Sequence, residues 1–410
     1  MATEGARTTA NRAHENKRKK TTDPAAERPK QALPKQEGTG ATGTIDIPYL
    51  VLTLLLVAVG LLMLFSASYA RALKEGEAGS YYFMHQGIVA VVGIAIMLAA
   101  AFFRTDLYYH LALPTLAVSV VLLVLVMFIG RTVNGAKRWI DIGSFSLQPS
   151  EIAKLGLVLT FAVMMSAWKE RMDTFTYGVI PFAVIIGVLA ALLYKEPHLS
   201  ATIIIIALGL IMMFMGGTKI RWLVLLVLLG ALAVLIYFKT KGYTNDRIQA
   251  WLHPEDYADN EGYQIIQSRL AIGSGGFFGL GFGKGRQKYL YLPEEHNDYI
   301  FAIVCEELGF IGALGILALF ALLIARGYWI ALHARDRFAS LVAAGLTTQL
   351  ALQVLLNVMV VSNMLPPTGI SLPFFSYGGT ALLLQLGEMG IVLGISRWCT
   401  DKELWRKKKA

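Results

Sequence analysis

Ten apolar runs, each close to the length a helix needs to cross a bilayer, constrain this chain more than any other feature of it. They lie near residues 46–66, 82–103, 110–129, 151–168, 176–194, 199–216, 221–238, 299–325, 339–361 and 378–396. A span takes roughly 20 residues as an α-helix, because inside hydrocarbon every backbone N–H and C=O must find its partner within the segment. Over 410 residues, 55% are hydrophobic and only 16% charged, a balance that excludes an ordinary water-soluble domain. The expectation is an all-α polytopic membrane protein with about ten transmembrane helices and one large extracytoplasmic loop, residues 239–298, between helices 7 and 8.

Residues 1–44 are of another kind. They are rich in Lys, Arg, Ala, Thr and Pro and hold almost no large apolar side chains, so they cannot bury enough surface to offset the entropy of ordering. A disordered basic tail is expected there, a ten-helix domain over 45–397, and a second basic tail over 398–410. No basic-then-apolar stretch ending in small residues opens the chain, so the first run is expected to be retained rather than cleaved. Cys305 inside one run and Cys399 at the end of another suggest no disulfide framework. An even number of spans puts both tails on one side, and that side collects most of the 37 Lys and Arg residues. The positive-inside rule then predicts cytoplasmic termini, and the net charge of +9 reads as topology and attraction to anionic lipid, with no nucleic acid as partner.

With that orientation three unusual loops share the outer face, at 130–150, 239–298 and 362–377. Polar, Gly/Pro-rich loops gathered on one face commonly carry function. In the longest, Gly273, Gly275, Gly276, Gly279, Gly281, Gly283 and Gly285 precede Lys284, Arg286 and Lys288. Glycines let backbone N–H groups converge on an anion, so a diphosphate cradle is one reading and a flexible or re-entrant surface loop is the other. No βαβ context supports a nucleotide site. Further on, Glu294-Glu295-His296-Asn297-Asp298 runs straight into the eighth span. Asn297 or Asp298 either caps that helix or holds a carboxylate ready to accept a proton at the membrane surface. Glu306 and Glu307, about two turns deeper, must face protein, water or a cation, and Glu151 with Lys154 can form an intramembrane pair at i, i+3. Gln353 and Asn357 read as interhelical hydrogen-bond glue.

Three stretches, NGAKRWIDIGSFSLQPSEIAK (134–154), the segment 247–309 ending LPEEHNDYIFAIVCEELG, and PPTGISLPFFSYGGT (366–380), make the chain resemble the SEDS family (shape, elongation, division and sporulation), which includes FtsW, RodA and SpoVE. The resemblance covers all ten runs and leans to the division or sporulation branch. It implies a peptidoglycan glycosyltransferase that polymerises lipid II into β-1,4 glycan strands on the outer face, with Asp298 matching the essential acid and Glu151 and Lys154 matching residues that line a central cavity. Lys137, Arg138, Lys284, Arg286 and Lys288 are then the candidate cations for the diphosphate, and Ser274, His296 and Ser376 further substrate-binding candidates. The expected partners are a class B penicillin-binding transpeptidase and other division or sporulation membrane proteins. A divalent cation such as Mg2+ is a candidate cofactor, with no ligands assigned. Two departures stand out: His296-Asn297-Asp298-Tyr299 where the family reads His-Thr-Asp-Phe, and Pro197-His198-Leu199-Ser200 where it often reads Pro-Asp-Leu-Gly. A lipid II flippase and a non-enzymatic division scaffold are the alternatives.

Overall fold

The computed structural model describes residues 43–133, 136–143, 145–196, 198–240, 249–259 and 261–399. The tails read at 1–44 and 398–410 thus lie almost wholly outside the described residues. Among those described, nine helices are long and apolar enough to cross a membrane. In chain order they are Ile47–Lys74, Tyr81–Phe102, Thr105–Ile129, Pro149–Ala167, Phe175–Lys195, Leu199–Gly216, Ile300–Leu332, Arg337–Val361 and Gly379–Ser396. The helix Ile220–Thr240 takes the place of the seventh run, so spans are numbered 1 to 10 here with that helix as span 7.

Span 1 runs well past its apolar stretch because nothing in Ser66–Lys74 breaks a helix; Glu75 closes it and Gly76, at φ 81°, turns the chain. Its start is set by Asp46, whose carboxylate accepts from Tyr49 N–H at 3.1 Å and is forked by Arg326 of span 8 at 3.0 and 2.8 Å. Spans 4, 9 and 10 are the most buried and form the centre, whereas spans 2, 3, 5 and 8 turn most of their surface outward. Small residues let the central helices approach, as between membrane helices generally. Gly156 of span 4 sits against the backbone of Leu116 in span 3, and Gly390 of span 10 against Met97 O in span 2, where an added Cβ would lie 2.3 Å from that oxygen.

The architecture is not purely helical. Residues 130–150, expected as a loop, hold a three-stranded antiparallel sheet: β1 Arg131–Val133, β2 Ala136–Ile142 and β3 Phe145–Leu147, in the order β1-β2-β3. Asn134-Gly135 between two such segments is a two-residue hairpin signal, and β1 pairs Val133 with Ala136 across it. The long loop is also ordered where described. It carries a 3-10 turn, Pro254–Tyr257, and a helix, Glu261–Gly275, tied to the end of span 9 by Ser268 Oγ on Val361 O (2.7 Å) and Trp251 Nε1 on Asn363 O (3.1 Å).

Candidate active site

The spans alternate in direction, so the sheet, the end of the long loop and residues 362–378 gather at one face. There they enclose a cavity of about 730 Å3. Asp298, His296 and Asn297 line it from the long loop, Arg138 and Trp139 from β2, Glu151 and Lys154 from span 4, and Ser376 and Tyr377 from the segment before span 10.

Asp298 does not cap span 8. The residue at the helix start is Tyr299, which makes no side-chain cap bond, while Asn297 Nδ2 donates to Glu294 Oε2 at 2.6 Å. Among the described residues no donor hydrogen-bonds to the Asp298 carboxylate, although Asn357 Nδ2 holds its backbone carbonyl at 2.8 Å and Ile370 O at 2.6 Å. Asn357 therefore joins span 9 to both segments that carry the cavity wall. Ser376 adds a second tie, donating to Asn297 O at 2.8 Å, and Tyr377 N–H a third, on His296 O at 2.9 Å. Backbone held at several points keeps the half-buried carboxylate aimed while leaving its oxygens available.

Electrostatics suit a base. Burial and the neighbouring Glu294 push Asp298 up to about 6, partly countered by Arg138. Burial and the charge of Arg71 hold His296 down at about 3, so it is neutral at physiological pH. The same burial, with Arg138 and Lys154, lowers His198 to about 3, and burial raises Glu196 to about 8 against the pull of Arg138. Arg138 is thus the cation felt at all of Asp298, Glu196 and His198. Below them Lys154 Nζ pairs with Glu151 at 2.8 Å, and Gln349 donates to Glu388 at 2.9 Å.

Of the site candidates read from sequence, Asp298, Arg138, Glu151, Lys154, His296 and Ser376 share this cavity. Lys137 stands exposed on β2 outside its lining. Ser274, Lys284, Arg286 and Lys288 are not in its wall either. The glycine-rich loop does converge its N–H groups on anions, but the anions belong to the protein. Gly283 and Gly285 donate to Glu307 at 3.0 and 3.3 Å, and Arg286 and Gln287 to Glu306 at 2.8 and 3.2 Å. Lys288 closes the cluster at 2.7 Å from Glu307, with Ser66 of span 1 on the same carboxylate. Lys284 and Arg286 point outward, and Ser274 Oγ bonds Ala271 O within its own helix at 3.0 Å.

That docking explains a break in span 8. Gly309 has φ 66° and ψ −170°, outside helical geometry. The freed carbonyls of Glu306 and Glu307 accept from Leu280 and Gly281 N–H, both at 3.0 Å, and Phe310 N–H reaches Gly276 O at 2.9 Å. Backbone groups released inside a membrane protein must be satisfied this way, by protein. Cavity residues not among the site candidates read from sequence include Arg71, Tyr82, His85, His198 and Thr380. Arg71 was legible as a cation at the end of an apolar helix; it forks Glu295 at 2.8 and 2.9 Å and ties span 1 to the loop that carries Asp298.

Residues 47–400 match the family model FTSW_RODA_SPOVE, described as cell cycle protein. A probable peptidoglycan glycosyltransferase FtsW from Trichlorobacter lovleyi is 38% identical over 86% of this chain and 93% of its own. Stage V sporulation protein E of Bacillus subtilis is 36% identical over 86% and 97%. Among solved structures, a chain from work on structural coordination of polymerization and crosslinking by a peptidoglycan synthase complex superposes with TM-score 0.72 at 29% identity, covering 87% of this chain and 98% of that one. The rod shape determining protein RodA of Thermus thermophilus gives TM-score 0.65 at 29% identity over 86% and 97%. A multi-pass helical protein whose matched segment takes in every span and the whole wall of the cavity is, on these grounds, a member of the FtsW/RodA/SpoVE family.

Proposed function

We propose that the chain is a peptidoglycan glycosyltransferase that polymerises lipid II at the outer face of the cytoplasmic membrane, with Asp298 as general base. The observation that carries this reading is an uncapped carboxylate without a hydrogen-bond donor among the described residues, on the wall of a cavity it shares with Arg138, Arg71 and Lys154. In the reaction, the acceptor sugar hydroxyl attacks the anomeric carbon of the donor from the side opposite the diphosphate. The new C–O bond forms as the old one breaks, which inverts an α-linked donor to a β-linkage. Asp298 takes the hydroxyl proton; the bonding pair leaves with the diphosphate. A glycosidase needs a second carboxylic acid for its poor leaving group, whereas a diphosphate leaves as a stable anion and needs only cations and donors. Arg138, the cation whose field reaches Asp298, is the residue placed to supply that charge.

Among the described residues no three His, Cys, Asp or Glu side chains converge to hold a metal ion. Mg2+ binds through substrate phosphates and one or two carboxylates, so a divalent cation would arrive with the diphosphate.

The Lys/Arg distribution supports cytoplasmic termini, and the likeness to a chain of a peptidoglycan synthase complex supports a class B penicillin-binding transpeptidase as partner. The 36–38% identities to FtsW and SpoVE support a role in division or sporulation. The decisive experiment incubates purified protein, alone and with the transpeptidase, with lipid II. Glycan chains from the parent and none from Asp298→Asn are expected; polymer from the variant at parental rate would overturn the assignment.

A further inference from the structure

With the first span starting on the opposite face, every even-numbered span begins at the face that holds the cavity. Spans 2, 4, 6 and 10 accordingly contribute Tyr82, Glu151, Ser200 and Thr380 from their first turns to its wall. Each helix start carries unbonded N–H groups and the positive end of the helix dipole. Two features of span 10 bear on a ligand.

First, its opening turn is bare. Gly378, Gly379, Thr380 and Ala381 all line the cavity, and an added Cβ at Gly379 would meet only Val89 Cγ2 at 3.6 Å. The bond from Leu382 N–H to Gly378 O, at 3.0 Å, is an i to i−4 bond at the helix start, so the N–H groups of Gly379, Thr380 and Ala381 come before it. Second, a side chain waits there without a partner. Thr380 is only 8% exposed, yet its Oγ1 has no hydrogen bond among the described residues. Buried hydroxyls are normally satisfied, and in span 9 Thr347 and Thr348 each bond the carbonyl four residues back at 2.7 Å. The corresponding carbonyl for Thr380, Ser376 O, is taken by Gln86 Nε2 at 3.3 Å.

We propose that the first turn of span 10, Gly378–Ala381 with the Thr380 hydroxyl, is the diphosphate subsite of the cavity, holding the leaving group of the lipid-linked donor. The assignment rests on the glycosyltransferase reading and adds to it the place where the charge collects. Three N–H groups and a hydroxyl converge on one side of an anion, the arrangement that makes helix starts phosphate sites. Arg71 and Arg138 on the same cavity wall neutralise the remaining charge through charge-assisted hydrogen bonds. Gly378 and Gly379 leave the backbone uncovered so that phosphate oxygens reach it.

The test measures binding of farnesyl diphosphate and of inorganic pyrophosphate to the full-length protein in detergent, by 31P NMR or calorimetry, for the parent, Thr380→Ser and Thr380→Val. Loss of one hydrogen bond to a charged group should weaken farnesyl diphosphate about tenfold in Thr380→Val and hardly at all in Thr380→Ser. Gly379→Pro repeats the test through the backbone: proline is tolerated at the first helical position and removes one N–H, so affinity should again fall about tenfold even if the threonine variant folds poorly. Parental affinity in both Thr380→Val and Gly379→Pro, or no binding by the parent, overturns the subsite. Farnesyl diphosphate binding tighter than pyrophosphate supports the lipid-linked donor as occupant; the reverse order overturns that occupant. The two readings fail differently. A parent that binds the diphosphate through Thr380 but makes no glycan from lipid II sinks the glycosyltransferase reading, whereas full polymerisation by Thr380→Val at limiting lipid II sinks the subsite alone.

Discussion

Replacing Asp298 by Asn should do two opposite things, and the structure sets the size of one of them. The carboxyl is raised from 3.8 to about 6, chiefly by burial and then by Glu294. A group whose folded value lies above its unfolded value is destabilising when ionised. The penalty is absent below about pH 4, grows between about 4 and 6, and is complete above that range. At about 1.36 kcal/mol for each unit, the full penalty is about 3 kcal/mol, and on the order of 1–2 kcal/mol once solvent screening of this half-buried group is allowed for. Asp298→Asn removes the penalty. The variant should therefore unfold later than the parent at pH 7.5, with the two curves converging as the pH falls to 4, while lipid II polymerisation is lost. In the parent, kcat should rise with pH through about 6 as the base is freed of its proton. Thermal unfolding in detergent across pH 4 to 8, alongside polymerisation assays, reads both. A variant that unfolds earlier at pH 7.5, or a parental kcat flat from pH 5 to 7, would overturn this role for Asp298.

Other perturbations bear on the supports of the site. Lys288→Met strands the buried Glu307 carboxylate and should destabilise the protein by about 3–5 kcal/mol, seen as a lower unfolding midpoint and poor yield. Gly309→Ala forces a side chain into φ 66° and drives a Cβ to 2.2 Å from Gly279 N, so limited proteolysis within 276–291 should accelerate. Arg71→Lys keeps the charge but loses the two-pronged contact with buried Glu295; polymerisation should fall at least tenfold with little change in expression, as the loop carrying Asp298 loses one of its ties.

How much of this could be read from the residues alone varies along the chain for definite reasons. Residues 130–150 read as a loop although Asn134-Gly135 carries a hairpin signal, because strands of 3, 7 and 3 residues stand out poorly beside helices of about 20 residues. Asp298 was ambiguous between cap and base because both roles use the same residue at the same place; the observed start of span 8 at Tyr299 removes the cap reading. The glycines, Lys284, Arg286 and Lys288 had the composition of a phosphate cradle, and such N–H groups bind whichever anion comes within reach. Glu306 and Glu307, some 20 residues later, supply it.

Hydrophobicity in runs of span length predicted the helices and their alternation, because in lipid a backbone must be satisfied internally and runs of about 20 apolar residues suit a helix rather than a barrel strand. Charge at their ends predicted which side faces the cytoplasm, and motif order predicted the family. Which polar groups meet was decided by packing across 200 or more residues of sequence, as when Arg71 finds Glu295 or Ser66 finds Glu307. A side chain's local sequence records its type and its place on a helix face. The partner that satisfies it arrives from another span, and whether a charge is spent inside the protein or kept for a substrate is settled only when those helices come together.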